Sequence, residues 1–415
     1  GDCIGWSGGC PSFLLRQVSC HALGPGHRES STLIIVDNSS DLSVVTYLSM
    51  DPVTSTVGQS QVLNYVERLA ETGLVIDLVT FEHHVDTELR NRLVDLGVSW
   101  HPLEYGRRGA VGGLWRVLRA TRAIQGAALV HARSDMAAAA AILAGVEYWV
   151  WDVRSLWADQ KVASGVLRSG SLQERVLRWV ERRAAYRSKA VIALTESAIG
   201  ELDCRYEGVA GPKARVITTC TDLRHFSVSP MPTTTVRVLL PGTLNRFYDV
   251  PSMLDLVEEL RHRRQIEFIV ASPEATSWEN ELTSQDVIRL SATPEEMVDL
   301  IASCHLGLSI CRDDAGVSLK AAMPTKIGEF LASGRPVVVN PGLVDAAGLV
   351  EANGCGVVFG SSGPCNIVEA VDRIESCLND PKMPERCRGL AETHFNLDTG
   401  VKDLVRTYRL VHTRS

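Results

Sequence analysis

Several catalytic signatures are missing from this chain of 415 residues. No strand-like run opens into G-x-G-x-x-G, which disfavours a dinucleotide oxidoreductase. GRRGAVGG (106–113) has glycines, but neither the spacing nor the preceding strand. There is no G-x-x-x-x-G-K-[ST], so a P-loop NTPase is not indicated. Nothing in the strand–helix part of the chain reads G-x-S-x-G, the turn of a hydrolase nucleophile. The eleven cysteines include no C-x-x-C pair, so no zinc or other metal site is expected. Their odd number, without framework spacing, points to reduced thiols and a cytoplasmic protein. No apolar run approaches the ~18 residues needed to span a bilayer. Basic excess is lacking too. The formal charge is −7, so nucleic acid is not an expected partner.

What remains is ordinary globular material. Apolar residues make up 45% and charged residues 22%, enough for about two domains with a sizeable core. Residues 1–42 stand apart: rich in Gly, Ser and Cys, weakly periodic, and with an apolar FLL too short for a signal peptide. They are expected to be a disordered extension. From residue 43 buried-strand runs alternate with amphipathic helical runs. SVVTYLS (43–49) precedes a helix over 59–73 closed by Gly73, and VIDLVTF (75–81) begins the next unit. Such alternation predicts parallel strands with helices on both faces. LRHFSVSPMPTTT (223–235) interrupts the pattern as a linker, and a second alternation starts at VRVLL (236–240). The expected organisation is therefore α/β, with one half over 43–225 and another over 236–395. A terminal helix over 396–415 is expected to return to the first half. Ligands of open parallel sheets bind beyond the carboxyl ends of the strands.

The stretch PTKIGEFLASGRPVVV (324–339) deserves a physical reading. Ile327, Phe330 and Leu331 follow i, i+3, i+4 spacing and predict a buried stripe. Pro324 and Thr325 suit a helix start. Free N–H groups and the helix dipole there make an anion site, to which Lys326 adds full charge. Glu329 lies three residues on, about 4.5 Å along the axis at ~1.5 Å per residue. That suits a ribose diol one turn away from a diphosphate. A glutamate stabilised only by the helix dipole is the other reading.

PTKIGEFLASGRPVVVN followed by GLVEANGCGVVF resembles the signature of the group 1 retaining glycosyltransferases, glycosyltransferase family 4. GQSQVLNYVERLAETG (58–73), WDVRSLWAD (151–159), VITTCTDLRHF (216–226), PGTLNRFYD (241–249) and IASCHLGLSI (301–310) are similar in the same order. The resemblance covers roughly residues 43–411. It implies a GT-B fold, two facing Rossmann-like domains with a nucleotide-sugar in the cleft, and no metal or other cofactor. The D-V-R-[GS]-x-W-A-D segment is similar to a branch frequent among bacterial polysaccharide and cell-surface glycan enzymes. A UDP- or GDP-sugar donor and a glycan or lipid-linked acceptor are the implied partners. A GT-B epimerase or phosphorylase, or a silent nucleotide-sugar-binding protein, would carry much of the same pattern.

The resemblance assigns Glu329 to the nucleotide ribose, with Pro324, Thr325 and Lys326 at the diphosphate. The family's first motif glutamate, which contacts the donor sugar, falls on Ala321, and Lys320 is a candidate replacement. Gly242 and Thr243 follow the first strand of the second sheet, where backbone can approach a phosphate. Arg246 is the expected catalytic cation; Tyr248 and Asp249 stand where the family usually has Lys-Gly. Arg312 is a further candidate. On the first half, Gly58 and Gln59 open the first helix beside the donor, and Asp152 or Arg154 is expected to orient hydroxyls. His131 is a second cleft candidate, though a lone histidine at a strand end is more often structural. RDDAG (312–316) is read as a solvated loop. LWRVLRATRAI (114–124) and LQERVLRWVERRAAYRSK (172–189) are basic amphipathic stretches. Plain solvent and an anionic membrane surface, with the protein peripheral at its cytoplasmic side, would both suit them.

Overall fold

The computed structural model describes residues 44–413, apart from 108, 233–234, 246, 273–277, 284–285, 361–362 and 364. Residues 1–42 and Arg246, both subjects of expectations above, lie outside the described residues. Two wholly parallel sheets organise the rest. The first contains β1 (Val44–Ser49), β2 (Val75–Glu82), β3 (Val98–Glu104), β4 (Val130–Arg133), β5 (Trp149–Val153), β6 (Ala190–Ala193) and β7 (Ala214–Val216). Its spatial order is β3-β2-β1-β4-β5-β6-β7. The second contains β8 (Val236–Pro241), β9 (Ile266–Ala271), β10 (Val287–Leu290), β11 (Leu306–Ser309), β12 (Val337–Val339) and β13 (Gly356–Val358), ordered β10-β9-β8-β11-β12-β13. The inner strands read as unbroken apolar runs because helices cover both faces. In each sheet the order reverses once, between β1 and β4 and between β8 and β11. These switch points are where such sheets open a crevice.

Most helices lie where the periodicity places them, for instance Thr87–Asp95, Leu172–Arg187 and Ile367–Leu378. Three differences have physical causes. The first helix begins at Thr56, not 59, because Ser55 caps it by accepting from Gly58 N at 3.0 Å. It also contains a π turn, Gln59–Leu63, a feature frequent at functional sites. Trp157–Ala163 and Val344–Asn353 are helices beyond the alternation read from the sequence. The first is short and polar, and the second carries Gly348 in its middle.

The last helix, Leu397–His412, packs its apolar stripe (Leu397, Val401, Leu404 and Tyr408) into the core of the first sheet. The chain thus leaves the first half, builds the second, and returns. Arg335 of the signature explains part of this crossing. It is fully buried and donates to Ser229 O (2.8 Å), Ser229 Oγ (2.6 Å), Pro230 O (3.2 Å) and Ala302 O (2.7 Å). One guanidinium with five donors therefore fastens the linker to the second half.

Candidate active site

A cavity of about 530 Å³ opens between the two switch points. From the first half it is lined by Asp51, Gln61, Arg133, Ser134, Arg154 and Trp157, among others. Asn245, Phe247, Tyr248, Ala321, Pro324 and Thr325 line it from the second half.

On the second half the geometry centres on Lys326. It sits in the first turn of the helix Thr325–Ala332, whose N-terminus has no side-chain cap. Its side chain is 7% exposed, and Nζ has no hydrogen-bond partner. The ammonium rests over the Tyr248 ring, 4.2 Å from its centroid, a cation–π contact. Gly242 adjoins it: a Cβ added there would lie 3.8 Å from Nζ, and its φ of +96° favours glycine. Tyr248, standing where the family usually has lysine, is thus the resting place of another lysine. Asp249 is structural, capping the helix Val250–Arg261 through Ser252 N. Glu329 follows one turn inside. Burial pushes its carboxyl up to about 6, with Lys326 pulling the other way. Pro324 and Thr325 border the cavity; Thr243 is exposed and is not among its lining residues.

Two cationic candidates of the second half are committed elsewhere. Lys320 does not line the cavity: its Nζ pairs with Glu201 Oε2 of the first half at 2.8 Å. Arg312 folds onto Asp314, with Nε 2.9 Å from Oδ1. In the same RDDAG loop Asp313 accepts from Asn340 Nδ2 at 2.8 Å, so the neighbouring carboxylates have separate partners. Among the described residues no group of three His, Cys, Asp or Glu side chains is arranged to hold a metal ion.

Ala321 is fully buried and belongs to the apolar core of the first half. It ends two 3₁₀ turns spanning Asp313–Ala321, broken at Gly316. Because Ala321 also borders the cavity, a glutamate there would have to give up this packing to reach it. The alanine therefore belongs to the contact between the halves. Thr219 Oγ1 donating to Met323 O (2.9 Å), and Asp345 accepting from Glu196 N (2.7 Å), extend that contact.

On the first half, Arg154 is the group at the cavity and Asp152 stands behind it. Asp152 is 3% exposed and both its carboxylate oxygens are engaged by neighbours, whereas Lys326 Nζ, likewise buried behind the lining residues, has no partner. Its Oδ1 lies 3.4 Å from Arg154 Nη1 and its Oδ2 3.2 Å from His131 Nε2. Burial works to raise the Asp152 carboxyl, but Arg154, His131 and Arg133 outweigh it and hold it at about 2. His131 is 1% exposed and does not line the cavity. Gln59 does not line the cavity; Gln61 does, and its Oε1 accepts from both Arg154 and Arg133. Val57 and Gln61, four residues apart on the first helix, both line the cavity. Gly58 is required by packing, since a Cβ there would meet Pro52 O at 1.9 Å. Ser134, at the tip of β4, has φ 87°, a strained value for serine of a kind that clusters at functional sites.

The neighbours of this architecture are now interpretable. Residues 58–219 match the family model of the glycosyl transferase 4-like domain. No curated protein matches the chain by sequence. Among solved structures, a glycosyltransferase from Rickettsia africae is 14% identical with a TM-score of 0.65, covering 91% of this chain and 100% of its own. Sucrose-phosphate synthase from Thermosynechococcus elongatus is 15% identical with a TM-score of 0.67, covering 90% and 100%. HepE from Anabaena, solved with UDP and glucose, is 16% identical with a TM-score of 0.63, covering 88% and 99%. The two facing parallel sheets of seven and six strands have the GT-B fold of these glycosyltransferase structures, and the match to the glycosyl transferase 4-like domain model falls on the first half.

Proposed function

We propose that this chain is a retaining, metal-independent glycosyltransferase. It moves a sugar from a UDP- or GDP-linked donor to a hydroxyl of a glycan or lipid-linked acceptor, in the building of a bacterial polysaccharide or cell-surface glycan. The observation that carries this reading is the buried Lys326 ammonium, without a hydrogen-bond partner, at an uncapped helix start beside Gly242. A buried cation left so is expensive until an anion arrives. A diphosphate fits: backbone N–H groups and Lys326 take its oxygens, and Glu329 one turn along accepts from the ribose hydroxyls. The UDP and glucose bound by the Anabaena protein support the same donor class.

As the sugar–phosphate bond breaks, negative charge grows on the leaving diphosphate, where Lys326 stabilises it. The acceptor oxygen attacks the anomeric carbon from the face the phosphate leaves, and the acceptor proton passes to the departing phosphate oxygen. Arg154, with Gln61 and Arg133, orients hydroxyls from the opposite wall. Incubation with UDP- and GDP-sugars tests the reading. Turnover with an α-linked donor gives an α-linked product, and Glu329→Ala abolishes nucleotide binding while the protein stays folded. Unchanged donor affinity in that variant would reject the ribose role. A silent nucleotide-sugar-binding protein is favoured only by Ala321 and the commitment of Lys320 to Glu201. Binding without turnover on any acceptor would identify it.

The acceptor side includes a surface. The helix Gly109–Ala123 exposes Val111, Leu114 and Leu118. The helix Leu172–Arg187 exposes Leu172, Val176 and Trp179 among Arg175, Arg182 and Arg183. Arg116 takes no part: it is buried, donating to Tyr105 O and Arg107 O. No helix of the described residues is long and apolar enough to cross a membrane. Apolar anchors with arginines suit an anionic membrane surface. Co-sedimentation with anionic liposomes at low salt is expected, and its absence would end the idea.

A further inference from the structure

Beneath Arg154 lies a buried polar chain that ends on the last helix of the protein. Tyr408 Oη lies 2.9 Å from His131 Nδ1, and His131 Nε2 lies 3.2 Å from Asp152 Oδ2. Asp152 Oδ1 meets Arg154 Nη1 at 3.4 Å, and Arg154 Nη2 reaches Gln61 Oε1. The imidazole is clamped. Tyr47 stacks on it at 4.2 Å between centroids with planes 10° apart, and Tyr408 meets it edge-on at 5.8 Å.

We propose that Tyr408 is a positioning residue for Arg154, acting through His131 and Asp152, so that the returning terminal helix completes the active centre. The proposal takes its reaction from the function proposed above, but its geometry stands independently. Donor and acceptor roles are forced in sequence. An ionised Asp152 can only accept, so His131 Nε2 carries the proton. A neutral imidazole then has a lone pair on Nδ1, to which the Tyr408 hydroxyl donates. The groups facing His131 are Asp152, Arg154, Arg133 and the two phenols of Tyr47 and Tyr408. Burial first, then the two guanidiniums, oppose its protonation, against the pull of Asp152. With the Tyr408 hydroxyl removed, Nδ1 is left buried without a partner. The ring becomes easier to protonate, and it loses the contact that fixes its plane against Asp152. Both redistribute Asp152 between His131 and Arg154 and shift the guanidinium at the cavity wall.

Tyr408→Phe tests this, since it keeps the ring that packs in the core. In protein labelled with 15N histidine and arginine, His131→Asn and Arg154→Lys assign the two relevant resonances. The wild type is expected to hold neutral His131 with its proton on Nε2. Tyr408→Phe shifts the His131 ring-nitrogen resonances, which lose the donor on Nδ1, and shifts the Arg154 Nε resonance. With the donor sugar that the wild type turns over, kcat falls about 10- to 100-fold, the range typical of outer partners that orient a functional ligand. Donor KM stays within twofold, and the pH profile moves. Unchanged His131 and Arg154 resonances overturn the proposal, as do shifted resonances without slowing. If the wild type turns over no nucleotide-sugar, the glycosyl-transfer reading fails, and the resonances still decide whether Tyr408 positions Arg154.

Discussion

Lys326→Met separates a ligand-binding lysine from a structural one, because the two roles predict effects of opposite location. In the free protein the ammonium has no hydrogen bond to lose. Its contact with the Tyr248 ring contributes about 0.5–2 kcal/mol, and the cost of burying the charge disappears with it. Methionine fills most of the space. Unfolding free energy should therefore change by no more than about 1 kcal/mol, measured by urea titration. Nucleotide binding should suffer instead. A hydrogen bond to a charged group contributes about 1.5–3 kcal/mol, so affinity for UDP or GDP should fall roughly 10- to 150-fold, at 1.4 kcal/mol per tenfold. At a nucleotide concentration 100 times Kd, ligand stabilises the wild type by about 2.7 kcal/mol. A 100-fold weaker variant gains only about 0.4 kcal/mol at the same concentration. Calorimetric titration and ligand-dependent melting both read this. Affinity within twofold of wild type, or a large loss of stability without ligand, would refute the reasoning.

Three further outcomes follow from the same geometry. Glu329 must be ionised to accept from a ribose diol, and its carboxyl in the free protein titrates at about 6. Nucleotide binding is therefore full above pH 7 and weakens about tenfold per unit below 6; Glu329→Gln lowers affinity and flattens this dependence, and a flat wild-type profile counts against the ribose role. Asp345→Ala removes the carboxylate that accepts from Glu196 N and Ser197 N across the halves. It costs about 1 kcal/mol as a lost cap, and small-angle scattering should show a larger radius of gyration. Arg335→Ala takes a fully buried donor away from four acceptors that hold the linker, at Ser229, Pro230 and Ala302. Denaturant unfolding should show a loss of about 3 kcal/mol or more, and a loss under 1 kcal/mol would mean the linker is held otherwise.

Much of the fold is legible in the sequence because parallel strands covered on both faces must be apolar throughout. Runs such as VIDLVTF and PVVV therefore announce themselves, with amphipathic helices between them. The signature around Glu329 is legible for a related reason: helix start, buried stripe and strand are all local. Side-chain partners across the halves are not local. Nothing near Lys320 in the chain indicates Glu201, 119 residues away. Nothing near His131 indicates Tyr408, 277 residues away. The partners of Gln61, Arg133 and Arg154, are 72 and 93 residues away, and the packing of Ala321 became visible only once its methyl was found inside the core of the other half.

The central claim is sugar transfer from a nucleotide donor held at Lys326 and Glu329. Its most direct test is the full chain incubated with a panel of UDP- and GDP-sugars and hydroxyl acceptors, with nucleotide release and product anomer followed by mass spectrometry and NMR. The account predicts that one donor series is consumed, that the anomeric configuration of the donor is kept in the product, and that Lys326→Met and Glu329→Ala abolish release. Consumption that persists in both variants, or a wild type that neither binds nor consumes any nucleotide-sugar, would contradict it.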